Sequence, residues 1–452
     1  MSNFRPIDRA TPYLLPPSVE EWLPTDHLAR FVVEIVDQLD LSALEHAYRG
    51  SGKAAYHPAM LAALLIYGYA TGTYSSRAIE KASHDSVAFR YIAANQHPDH
   101  DTLCAFRRRF LTEIETLFVQ VLEIAGQMKL LKLGTVALDG TKIHANASRH
   151  NALSYGRAQA IEAQLREEVR ALLARAEAAD RDPLPPGLSV PAELARRETR
   201  LAAIAGAKAK IEARAAERLA EETRQYETKL AVREAKAKAR GKRPGGRPPS
   251  PPTGGVRESD QINLTDEESR IMPRAGGGGF EQSYNAQAAV DTASMLIVGA
   301  RLSNAPVDAR QLVPMLEQLT TVPATLGRPA NLLADAGFFS RANVEQCLEQ
   351  SVTPLIARRR DQHYIPWLDR VADPPPLDDR AGAVERMVHH LQTPAGRALY
   401  GLRKQTVEPV FGIIKSVMRF RQFLLRGLQK VGGEWRLVAM AWNIRRMAVL
   451  AG

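Results

Sequence analysis

The chain is poor in cysteine. Only Cys104 and Cys347 occur among 452 residues, and each lies in an apolar-periodic segment, so both read as packed core residues. This argues against a disulfide framework and against a cysteine-based zinc site. Long hydrophobic runs are also missing: none reaches the roughly 18 apolar residues that span a bilayer. The opening Met-Ser-Asn-Phe-Arg-Pro lacks the apolar core of a signal peptide. The expectation is a protein that stays in a reducing cytoplasm, with no membrane partner. Core-forming residues are not scarce. Hydrophobic content of 45% and charged content of 24% are ordinary for a globular protein, which excludes disorder for most of the length. Acidic residues are in deficit, 50 against 60 Lys and Arg, for a net charge of +10. That balance favours a polyanionic partner, nucleic acid rather than membrane, although charge by itself also fits a basic protein with no such partner.

At this length two or three domains are expected, each with its own core. Residues 1–130 carry helical periodicity, in Phe31, Ile35 and Leu39 and then in Met60, Leu61, Leu64 and Leu65. His57-Pro58 marks a helix start, since proline is tolerated in the first turn. One short helix bears Arg107, Arg108 and Arg109, with Asp101 and Thr102 as N-cap candidates. Short helices with tight turns fit a helix-turn-helix-like DNA-binding domain or a plain helical bundle with solvated arginines. From 131 to 452 strands and helices mix. A strand over 133–143 ends near Asp139, and a hairpin over 280–302 turns at Asp291 to Ser294. A helix covers 308–319, a buried strand over 331–334 leads to Asp335, and another covers 353–357. This order predicts a mixed α/β sheet with helices on its faces. Residues 155–235, dominated by Ala, Arg and Glu, interrupt it. Their stripes (Ile161, Leu165, Val169 and Leu172, then Leu194, Leu201, Ile204 and Ile211) predict an inserted helical hairpin broken over Pro183 to Pro191. Residues 236–275 follow as a Pro/Gly-rich linker. Every charged residue from Lys236 to Arg247 is basic, so a disordered stretch is expected there, either lying along phosphates or simply solvated.

Three acids stand out: Asp139 in Val-Ala-Leu-Asp-Gly-Thr-Lys-Ile, Asp335 in Leu-Leu-Ala-Asp-Ala-Gly-Phe, and Glu408 in Thr-Val-Glu-Pro-Val-Phe-Gly. The first two end apolar runs that read as strands, and the third lies on a helix. If the two strands are neighbours, their carboxylates meet at the sheet's rim, where they repel unless a cation intervenes. Two hard divalent cations there would neutralise them and bind a scissile phosphate. Each acid also has a plainer reading: Asp139-Gly140 as a hairpin turn, Asp335 as a loop acid, Glu408 as a surface acid beside Pro409. Their joint arrangement favours the metal site. Lys404, Glu408, Gly412 and Lys415 fall on one helical stripe, next to an apolar face of Val407, Val410, Phe411, Ile414 and Val417. Gly412 is expected to leave room for a closely packed backbone.

With these motifs in this order, the chain resembles the DDE transposases of bacterial insertion sequences, in the group marked by a Tyr-Arg-Glu-Lys signature. Tyr400, Arg403, Glu408 and Lys415 carry that signature, separated by two, four and six residues. The middle gap is one longer than usual, so either Arg403 or Lys404 fills the basic position. Asp139-Gly140-Thr141-Lys142 and Asp335-Ala336-Gly337-Phe338 resemble the family's two aspartate motifs, and Tyr284-Asn285-Ala286-Gln287 is similar to a further one. Tyr56-His57-Pro58, Arg77-Ala78-Ile79-Glu80 and Thr102 to Arg108 resemble the helical domain that precedes the catalytic domain in one branch of the group. The resemblance implies an RNase H-like catalytic core and two Mg2+ (or Mn2+) ions held by Asp139, Asp335 and Glu408. It implies DNA or phosphate contacts by Tyr400, Arg403, Lys404 and Lys415, and the helical domain would add Arg107, Arg108 and Arg109. The implied reaction is nicking at the element's ends, then attack of the freed 3′-hydroxyl on target DNA, with no covalent protein–DNA intermediate. Double-stranded DNA, as terminal repeats and as target, would be the partner. A homo-oligomer would be the working form, because two ends must be held together. A metal-dependent nuclease without strand transfer and a DNA-binding protein with an inactive site are the alternatives.

Overall fold

The computed structural model describes residues 18–48, 55–178, 189–242, 245–274, 277–358, 372–378 and 380–452. The chain divides into two compact units, Met1–Asn146 with Met272–Gly452, and Ala147–Ile271.

The larger unit is built on a mixed sheet of β1 (Thr135–His144), β2 (Phe280–Asp291), β3 (Ile297–Ser303), β4 (Asn331–Ala334) and β5 (Thr353–Ile356). Their spatial order is β3-β2-β1-β4-β5, and the short strand Arg270–Pro273 also pairs with β2. β3 with β2 and β2 with β1 pair antiparallel, while β1, β4 and β5 run parallel. This is an RNase H-like mixed sheet. Its centre is covered on both faces, which is why the strands read as unbroken apolar runs rather than alternating ones. Val136, Ala137 and Leu138 on β1 and Leu332, Leu333 and Ala334 on β4 are fully buried. β1 runs past Asp139 to His144, so the strand does not end at the aspartate as expected. Nor is Asp139-Gly140 a hairpin turn, because Gly140 pairs with Gln287 inside the sheet.

The helix Pro58–Thr71 starts where the sequence indicates, with His57 Nδ1 accepting the Ala59 N–H at 3.2 Å. It stops at Gly72, whose φ of +86° lies in the left-handed region that glycine tolerates. The arginine-bearing helix, His100–Arg109, is capped two to three residues earlier than expected. Asp99 accepts the Thr102 N–H at 2.8 Å and its hydroxyl at 2.9 Å, so Asp101 and Thr102 lie within the helix. Cys347 is buried as anticipated, whereas Cys104 is only half-buried. The C-terminal helix Leu428–Ala451 buries residues all round, among them Val431, Trp435, Leu437, Met440, Ile444 and Met447, as a helix enclosed by protein must. It packs against β3 and against the helices Pro58–Thr71 and Glu113–Gln127, which joins the N-terminal helices to the sheet in one unit. No helix among the described residues is long and apolar enough to cross a membrane.

The smaller unit contains the expected hairpin, of helices Tyr155–Ala178 and Val190–Arg240. Cross-helix bonds link Tyr155 to Glu212, Glu162 to Lys208 and Glu168 to Arg197, and their opposite order along the two segments makes the helices antiparallel. Its core is small: Leu153, Ala158, Leu165, Ile204, Ala207, Ile211 and Ile262. Ala152–Ser154 pairs antiparallel with Gln261–Asn263, so the chain enters and leaves the unit side by side. The second helix extends to Arg240, which places Lys236 and Lys238 on a helix rather than in the expected linker. The expected break at 183–191 falls mainly outside the described residues, and Pro191 already lies in the helix's first turn.

Candidate active site

Strand register positions the first two carboxylates. β1 and β4 are parallel with Leu138 beside Ala334, so Asp139 and Asp335 take the next places on neighbouring strands. β4 stops there. Asp335 caps the tight turn Ala336–Phe338 by accepting the Gly337 N–H at 2.8 Å. Asp139 accepts the N–H of Gly140 at 2.8 Å. Burial pushes the Asp139 carboxyl up to about 6, and the charges of Asp335 and Asp308 add to the rise; the Gly140 N–H and Arg403 pull the other way.

Glu408 comes from the helix Pro394–Ser416, which runs unbroken through Pro409. Val407, Val410, Phe411 and Ile414 form its buried face. Two basic side chains tie this helix to β1. Lys415 Nζ donates to the Thr141 hydroxyl at 2.5 Å and to the Lys142 carbonyl at 3.0 Å; burial lowers its pKa. Arg403 is buried, with Nη1 3.2 Å from Asp139 Oδ2 and Nη2 3.2 Å from Glu408 Oε1. Burial works against its charge, but Asp139, Tyr400, Glu408 and Asp335 together outweigh that and hold the guanidinium above its ordinary value. Arg403 therefore stands between two of the three acids. Lys404 is exposed and Tyr400 half-buried.

The structure also brings in a carboxylate that sequence reading passed over. Asp308 follows β3, and its Oδ1 accepts Asn285 Nδ2 and Gln287 Nε2, each at 2.7 Å. Asn285 and Gln287 are two apart on β2 and so share a face. Asp308 itself had been expected to start the helix of 308–319, which begins at Leu312. No local pattern marks Asp308; what holds it is a pair of buried amides more than twenty residues away on β2.

Residues 17–109 match the family described as Transposase domain (DUF772), and residues 255–444 match Transposase DDE domain. The chain is a DDE transposase. The DDE match spans Asp308, Asp335, Arg403, Glu408 and Lys415; Asp139 lies ahead of it, and the hairpin helices fall between the two matched stretches. No curated protein and no solved structure matches the chain.

Membership of this family implies a divalent metal and a DNA substrate for the transposase. Among the described residues, no three His, Cys, Asp or Glu side chains form a ready-made metal cluster. Arg403 bridges Asp139 and Glu408 instead. The donor set nonetheless fits hard cations. Asp139, Asp335, Glu408 and Asp308 offer carboxylate oxygens alone. Gln287 Oε1, buried beside them, has no hydrogen-bond partner among the described residues, and burial, with neighbouring acids, raises the Asp139 carboxyl.

Two expectations about individual side chains change in the transposase. Gly412 faces open space, with nothing within 4 Å of where a β-carbon would stand. The glycine that admits a close approach is Gly140, where a β-carbon would lie 2.2 Å from Gln287 Nε2. The three consecutive arginines do not share one basic face. Arg107 is 5% exposed and donates to the Tyr69 hydroxyl at 3.0 Å and the Tyr74 carbonyl at 3.2 Å, so it is turned inward, away from any phosphate. Arg109 is exposed but lies over the Tyr48 and Phe110 rings, while Arg108 is exposed.

Proposed function

We propose that this transposase holds two divalent cations (Mg2+ or Mn2+) with Asp139, Asp335 and Glu408, nicks DNA at its element's ends, and joins the freed 3′-hydroxyl to target DNA. The observation that carries the reading is the parallel register that puts Asp139 beside Asp335, with Arg403 linking Asp139 to Glu408. When bound, such ions supply activation of the attacking oxygen and stabilisation of the leaving one.

The chain's own residues prepare that chemistry. Arg403 screens Asp139 from Glu408, and an incoming phosphate competes for its guanidinium. Lys415, anchored on Thr141 and Lys142, sets the position of the signature helix along β1. Tyr400 and Lys404 lie on the more open side and contact DNA. Residues 1–130 bind the element's ends, with Arg108 and Arg109 on phosphates, and 131–452 carry the catalysis around the inserted hairpin of 155–235. Two or more copies act together, because two ends must meet.

The test is cleavage and strand transfer on a duplex carrying the element's end, in Mg2+, with wild type beside Asp139→Ala, Asp335→Ala and Glu408→Ala. Each variant is expected to bind DNA and to lose cleavage by about 100-fold or more, since even outer-shell changes at metal sites cost roughly 10- to 100-fold. A variant that cuts like wild type removes its carboxylate from the site. Cleavage without a joined product makes the protein a nuclease instead.

A further inference from the structure

Asp308 is placed in the site by two close approaches. A β-carbon on Gly140, the residue after Asp139, would stand 2.6 Å from Asp308 Oδ1. One on Gly337, two residues after Asp335, would stand 3.0 Å from Asp335 Oδ1 and 3.6 Å from Asp308 Oδ2. Asp308 thus fills the space between the two aspartate motifs, and each motif carries a glycine where it approaches.

A third carboxylate beside Asp139 and Asp335 raises the local repulsion, and the fold orients it all the same. Asn285 and Gln287, 1% and 0% exposed, both donate to its Oδ1. Amides hold a carboxylate in place but bring no net positive charge. In each of the three aspartates Oδ1 is already held by N–H donors: Gly140 on Asp139, Gly337 on Asp335, and the two amides on Asp308. The independent sign of a missing ligand is Gln287 Oε1, a fully buried acceptor with no partner among the described residues, where such groups are normally satisfied. Oriented carboxylates, and beside them a buried carbonyl with no partner among the described residues, are the donors that a hard cation and its bound water take.

We propose that Asp308, oriented by Asn285 and Gln287, is a fourth carboxylate of the cation site and helps to hold the divalent ion shared by Asp139 and Asp335; this rests on the reading of those two as cation ligands.

The test is Mn2+ binding to the full-length protein without DNA, followed by electron paramagnetic resonance of the free ion. Wild type is compared with Asp139→Asn, Asp308→Asn and the double variant Asn285→Ala/Gln287→Ala, with thermal unfolding of each recorded in EDTA. Asp308→Asn is expected to weaken Mn2+ binding by about 10- to 100-fold while its unfolding without metal stays at the wild-type temperature. The double variant, which keeps the carboxylate but releases it, is expected to weaken binding as well. Asp308→Asn binding Mn2+ like wild type, beside an impaired Asp139→Asn, overturns this proposal and leaves the cation reading standing. Wild type binding no better than Asp139→Asn overturns the cation reading and this proposal with it. Should Asp308→Asn fail to fold, undiminished affinity in the double variant overturns the proposal.

Discussion

At the scale of single residues, burial separates side chains that look alike in sequence. Arg107 and Arg108 are neighbours on one helix, yet one is an internal tie and the other meets solvent. Arg107 holds the Tyr69 hydroxyl, which in turn donates to Glu434 Oε1 at 2.7 Å. Replacing Arg107 with alanine leaves the buried Tyr69 hydroxyl and the Tyr74 carbonyl without their donor, a loss of about 1–3 kcal/mol. Arg108→Ala should change stability by no more than about 0.5 kcal/mol. In DNA binding the order reverses: Arg108→Ala should lower the salt dependence of binding by about one unit of slope. Urea unfolding and binding titrations over a salt series check both, and the opposite pattern would return Arg107 to the DNA face. The same logic distinguishes Arg403 from Lys404. Spacing alone left both open, and the side chain that turns toward β1 is the one that reaches the acids.

At the scale of elements, Glu434 shows how the C-terminal helix is fastened. It is fully buried, and it accepts the Tyr69 hydroxyl and the N–H groups of Leu424 and Leu425. Burial raises its pKa, against the pull of Arg107 and those N–H donors. A carboxyl raised in the folded state contributes stability that is fully present below its unfolded value of about 4.3, and that contribution is lost as pH rises through the folded value. Glutamine cannot titrate, so the wild type's advantage over Glu434→Gln isolates this group. The advantage should be greatest in acid and narrow as pH rises toward neutrality, as measured by urea unfolding across pH 4 to 8. An advantage that grows with pH would mean that Arg107 and the N–H donors keep the carboxylate ionised. The signature helix gives a parallel lesson. Its stripe of Glu408 and Lys415 is readable from spacing, but Lys415 turns out to secure β1 while the bridging cation is Arg403, five residues before Glu408.

At the scale of the whole molecule, two compact units share one chain. Ala147–Ile271 has its own apolar cluster, and its entering and leaving strands pair with each other. An excised fragment of these residues should therefore retain a helical circular-dichroism spectrum and melt cooperatively. Leu165→Ala should cost the fragment about 2 kcal/mol, the low end for a buried leucine because so small a core collapses around the gap. A fragment that loses helicity gradually on heating would show that its thin core does not sustain it alone. The larger unit behaves differently. Its C-terminal helix is enclosed by both the sheet and the N-terminal helices, so those helices are not a separable layer of the structure.

The sequence by itself determined the kinds of element and their order, because apolar runs and helical stripes are local patterns that survive without knowledge of the fold. It also marked the three acids proposed as cation ligands, since Asp139, Asp335 and Glu408 stand in motifs dense enough to read. Tertiary structure decided the rest. The parallel register of β1 with β4 placed Asp139 beside Asp335, and two buried amides on β2 drew in Asp308, which no local pattern marks. The packing of the C-terminal helix turned Arg107 inward. Each of these depends on a partner distant along the chain, and the cost of leaving a buried charge or amide unpaired is what selects that partner.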